Sequence, residues 1–184
     1  MSVRYFDIDY RRLQNATDGE VLRGGRLVTA SDEWSNPPWL WPDFDALDYG
    51  LELDTSTGKT LSVIWEQAGV NDGITMRQKS LRPGRLVADG AFAIWDATER
   101  SRWTPLIAQK VTAVQLLWHR MESSADLCCD GVTIDFGSDA LHLTLGDADG
   151  HGKSVGSSDN VAVLSEDAAR QYRVGPHGPP NDVL

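Results

Sequence analysis

Between Gly50 and Trp65 the chain reads GLELDTSTGKTLSVIW. Apolar side chains fall at alternate positions, Leu51 and Leu53, then Leu61, Val63 and Trp65, on either side of TSTGK. Alternation with period two puts every second side chain on one face of an extended strand. Two such runs joined by a short polar turn containing glycine specify an antiparallel hairpin. An amphipathic helix would need apolar residues every three or four positions, and this segment has no such spacing.

The same signal recurs. GITMRQKSLRPGRLV reads as a second hairpin, with Pro83-Gly84 suited to a type II turn. AFAIW and KVTAVQLLWH read as further strands. The latter carries Val111, Val114, Leu116, Leu117 and Trp118, so both faces are partly apolar and a central place in a sheet is expected. GVTIDFGSDALHLTLG, from Gly131, weakly echoes the run from Gly50: Leu53 matches Ile134, Asp54 matches Asp135 and Leu61 matches Leu141. The match is short, and two hairpins of a common kind are expected rather than a duplication.

Helical signals are few. In SEDAARQYRVG, Ser165 is suited to the N-cap, Glu166 and Asp167 to the first turn, Arg170 and Arg173 to the last, and Gly175 to the stop. TPLIAQK offers Thr104 as cap and Pro105 at the first position. Residues 10–22 have room for a short helix, weakened by Asn15 and Gly19. The expected fold is mainly β or α+β: one antiparallel domain over residues 1–174, sandwich- or barrel-like, with one or two short helices. Hairpins are placed at 50–65 and 131–145. Residues 175–184, GPHGPPNDVL, are expected as a mobile tail.

At 184 residues the chain can bury a self-sufficient core. Its net charge of −10 disfavours nucleic acid, which is bound by clustered Lys and Arg. No apolar run is long enough to span a bilayer, and MSVRYFDIDY, which has no apolar run, is not expected to act as a secretory leader. Cys128 and Cys129 are adjacent, which gives neither a disulfide framework nor a metal pair, so a cytoplasmic protein with reduced thiols is expected. The charge is uneven. Residues 31–58 hold seven acidic and no basic side chains, residues 76–120 eight basic and three acidic, and residues 121–184 three basic and eleven acidic. The blocks can neutralise one another in the fold, or leave an acidic face that steers a basic partner.

LGDADGHGKSVGSSDN, residues 145–160, approaches three active-site motifs and satisfies none. As a calcium loop from Asp147, it has His151 at the fifth position and Ser158 where a bidentate Glu belongs. As a phosphate loop ending in Gly152-Lys153-Ser154, it lacks the upstream glycine and puts Asp147 and Asp149 in the cradle. GKSVG matches the hydrolase elbow around Ser154, with Asp159, Asp167 and His177 following. The elbow, however, needs a tight strand-to-helix turn, and His177 lies in the Pro/Gly tail. A flexible connection between strands is expected.

Seven tryptophans stand out in the composition. Trp34, Trp39 and Trp41 share EWSNPPWLWPDFD, where prolines prevent regular helix. The indoles either pack back on the sheet or, with Asp43 and Asp45, form a binding surface for a protein or a sugar ring. Trp65, Trp95 and Trp118 are expected in the core, and Trp103 as the anchor of the turn at Thr104. His119, His142, His151 and His177 are too far apart in sequence for a local metal signature. No catalytic residue, cofactor or metal is assigned. The leading expectation is a non-enzymatic interaction module, immunity- or adaptor-like, for a basic protein partner. A carbohydrate- or small-ligand-binding β domain comes second, and a hydrolase with an unrecognised carboxylate site third.

Overall fold

The computed structural model describes residues 14, 15, 17–30, 43–68, 71–81, 92–120, 127–148, 154, 155 and 160–177. Trp34, Trp39 and Trp41, the Pro83-Gly84 turn and His151 lie outside them. The described residues form two antiparallel five-stranded sheets packed as a sandwich, not a closed barrel. The first contains β1 (Leu22–Ala30), β3 (Gly50–Thr55), β4 (Thr60–Ala68), β5 (Asn71–Arg77) and β6 (Phe92–Asp96), in the order β5-β4-β3-β1-β6. The second contains β2 (Phe44–Leu47), β7 (Ala113–Arg120), β8 (Leu127–Asp135), β9 (Ala140–Leu145) and β12 (Val161–Ser165), in the order β2-β12-β9-β8-β7.

The alternation read from the sequence becomes the inner face. Leu51, Leu53, Leu61, Val63, Ile74 and Met76 of the first sheet join Val114, Val132, Ile134, Leu141, Leu143 and Val163 of the second in one buried cluster. The hairpins at Gly50 and Gly131 have matching registers, Gly50 opposite Ile64 and Gly131 opposite Thr144, and lie in different sheets. Trp103 connects the two layers. It is fully buried and lies over Gly25 of β1 so closely that a Cβ there would come within 2.7 Å of the ring. Its indole N–H donates to Asp45 of β2, 3.3 Å away.

Two strand readings need correction. KVTAVQLLWH is not central: β7 closes the end of its sheet. Its second apolar face is explained by Gly131, where a Cβ would meet Leu117 at 2.9 Å; Leu117 fills the space that the glycine leaves. Residues 44–47, to which the sequence pattern assigns no strand, form β2 and pair with β12.

The connection from Leu145 to Asn160 does join two paired strands, β9 and β12. Within it, β10 (Asp147–Ala148) pairs with β11 (Ser154–Val155), and residues 149–153 and 156–159 lie outside the described residues. Ser154 therefore sits in a strand opposite Ala148, not at a strand-to-helix elbow.

The helical signals were read well at one end. Helix α1 (Glu166–Tyr172) begins at Ser165, whose side chain accepts from the Ala168 N–H. It ends earlier than Gly175, with Arg173 left-handed at the C-cap. The 3-10 turn η1 (Thr104–Leu106) has Trp103, not Thr104, at its cap. The Thr104 hydroxyl instead donates to the Arg100 carbonyl at 2.9 Å. A second 3-10 turn, η2, spans Gly175–His177.

Candidate functional site

In the second sheet, Phe44, Leu164, His142 and Thr133 lie side by side on neighbouring strands and share the face opposite Asp45 and Val163. That outer face is covered by α1. Phe44 and Tyr172 meet edge to face at 5.8 Å, and Ala168 and Ala169 are buried. Glu166 is the first helical residue, so it is fixed above His142. The chain then turns at Arg173 and η2 brings His177 back to the same place.

The result is a compact polar cluster drawn from β8, β9, α1 and η2. His142 Nε2 lies 2.6 Å from Glu166 Oε2, and His177 Nε2 lies 2.9 Å from Glu166 Oε1. The Thr133 hydroxyl is 3.0 Å from His142 Nδ1. Arg170, one turn on from Glu166, donates from Nε to Oε1 at 2.8 Å. The imidazoles of His142 and His177 meet edge to face at 5.9 Å. His142 and Thr133 are buried, while Glu166 is 28% and His177 24% exposed, so the cluster has a closed floor and an open side. Burial pushes the Glu166 carboxyl up, but hydrogen bonds from His142 and Arg170 and the nearby imidazoles outweigh it and hold the group below the usual range. One ligand atom from each of His142, Glu166 and His177 lies within 4.8 Å of the others. Two imidazoles and a carboxylate suit a borderline divalent metal ion.

This assembly was not legible in the sequence. His142 is one of four histidines without a local metal signature, and Glu166 reads as a helix-start acid. His177 was placed in a tail unable to hold it, yet Glu166 holds it. The three residues come from separate elements, and no local spacing marks them.

The acidic residues of 31–58 divide. Asp45 is buried, with Arg102 Nη1 at 3.6 Å and the Trp103 indole as partners. Burial pushes the Asp45 pKa up against the pull of Arg102 and Trp103, and burial brings the Arg102 pKa down. Asp45 is thus an internal post rather than part of an exposed surface. Glu52 is also buried: Arg26 donates to it from Nε at 2.8 Å, and the Ser80 hydroxyl donates at 2.8 Å. Burial raises Glu52, but Ser80, Arg26 and the Leu81 N–H together bring it below its ordinary value. Arg26 also grips Asp54, to which the Thr60 hydroxyl donates at 2.9 Å. Asp43 is exposed and accepts from the Tyr172 hydroxyl at 2.8 Å.

Among the other tryptophans, Trp65 and Trp95 are partly buried against the core. The Cys129 thiol is buried and donates to the Gly131 carbonyl at 3.2 Å. Among the described residues no helix is long and apolar enough to cross a membrane. No family model, curated protein or solved structure matches this chain.

Proposed function

We propose that this chain is a non-enzymatic interaction domain whose acidic, tryptophan-bearing segment takes a basic protein partner in the cytoplasm. One observation carries the reading. Residues 31–58 hold seven acidic and no basic side chains, together with Trp34, Trp39 and Trp41. Arg26 and Arg102 take up Glu52, Asp54 and Asp45 from within the fold. The exposed carboxylate of Asp43 stands where that segment enters β2. Indoles offer large contact area with a polar handle, and clustered carboxylates speed encounter with a cationic surface. Nucleic acid is disfavoured by the charge of −10.

The test compares the native chain with Trp39→Ala/Trp41→Ala/Asp43→Asn as bait in extracts of its own cells. A partner held by the native chain at low salt and released at high salt should be lost by the variant, whose melting temperature should stay close to native. Equal capture by both chains, or a large fall in melting temperature that puts the indoles in the core, would end this reading. Tryptophan fluorescence that responds to members of a glycan panel would favour carbohydrate binding instead.

A further inference from the structure

We propose that His142 Nε2, Glu166 and His177 Nε2 bind one divalent transition-metal ion of the zinc class, fastening η2 to the outer face of the second sheet. The proposal does not depend on the partner reading.

The donor set comes first. Two imidazole nitrogens and one carboxylate oxygen form a mixed nitrogen and oxygen set that suits zinc and its neighbours better than magnesium or calcium, which prefer all-oxygen shells. The geometry comes second. Ligands of a tetrahedral zinc at bond lengths of about 2.0–2.1 Å stand roughly 3.3 Å apart. Here His142 and Glu166 are 2.6 Å apart and Glu166 and His177 2.9 Å, with all three donors inside 4.8 Å. The two short contacts reach different oxygens of Glu166, so a metal needs these donors spread by about half an ångström, and the widest donor separation, up to 4.8 Å, drawn in by roughly 1.5 Å.

The surroundings fit as well. A metal-binding imidazole needs a partner for its other nitrogen to fix its tautomer and orientation. Thr133, buried on β8, supplies that partner at Nδ1. Its hydroxyl can donate when Nε2 carries the proton and accept when Nε2 turns its lone pair to a metal. The half-open side at Glu166 and His177 leaves a path for the ion and room for water as a fourth ligand. Arg170 is the cation now on Glu166, and its side chain is 65% exposed. Such an exposed pair is weak and can be given up, so Arg170 competes with the metal rather than completing its site.

The experiment is calorimetric titration of the chelator-treated full chain with zinc chloride, and with cobalt(II) chloride followed by visible absorption. The expected result is one equivalent bound, with tetrahedral cobalt bands and a melting temperature that rises with free zinc. His177→Ala lies on a terminal turn and should leave the fold intact while removing the bands. Thr133→Val should weaken binding by about 10–100-fold, and Arg170→Ala should tighten it. Absence of binding at submillimolar zinc, or undiminished binding by folded His177→Ala, would overturn the proposal. So would cobalt bands that survive in folded Glu166→Gln/His177→Ala.

Discussion

Single side chains decide where this fold is sensitive to acid and to substitution. Glu20 is buried, and it accepts from Lys59 at 2.7 Å and Thr57 at 2.8 Å. The Lys59 contact leads in bringing its pKa down from 4.5 to about 2, against the opposing effect of burial. Because the folded value is depressed, the stabilisation is complete above the unfolded value and fades as pH falls. Melting temperature should therefore drop between about pH 4.5 and pH 2, and Glu20→Gln should flatten the decline over that window. The buried Asp45–Arg102 pair behaves differently. Both ions give up water for each other, so breaking one side costs more than the pair is worth. Arg102→Met should destabilise by about 3–5 kcal/mol in urea unfolding, and adding Asp45→Asn should recover more than half of that loss.

Elements show which local signals held. Helix α1 spans only seven residues, Glu166–Tyr172, too few to persist without its cap and its packing. Ser165→Ala should cost about 1 kcal/mol in thermal or chemical unfolding. Ser165→Asp, which keeps a cap acceptor, should restore most of it. The cap was readable because a short side chain must accept from one of the next few N–H groups, a local rule. The hairpins at Gly50 and Gly131 were readable for a similar reason, since period two and turn chemistry are local. The edge position of β7 was hidden because Leu117 looks like a core residue, whereas it is only half-buried and packs over Gly131 on the next strand. Strand β2 was hidden too. FDAL is four residues long, follows a proline-rich run, and is defined by a partner more than a hundred positions away.

The whole molecule follows from how the two sheets share the chain. Sequence alternation was enough for a mainly β, antiparallel fold, sandwich- or barrel-like, because burying one face of each ribbon leaves few architectures. The His142–Glu166–His177 cluster was out of reach because its members meet only after β9, α1 and η2 are stacked. Charge is balanced at this scale as well. Arg102, from the basic block 76–120, lies beside Asp45 of the acidic block 31–58, so the uneven charge along the sequence is partly matched by contacts across the sandwich.

Strand β2 leaves the layer of its sequence neighbours β1 and β3 and pairs with β12, Leu47 opposite Val161. During synthesis, residues 44–47 must wait without their bonding partner until residues 161–164 have left the ribosome. The first sheet, whose strands all lie between Leu22 and Asp96, can pair fully beforehand, so a nascent chain stopped before residue 161 carries one finished ribbon and exposes an unfinished one to whatever chaperone or protease is nearby.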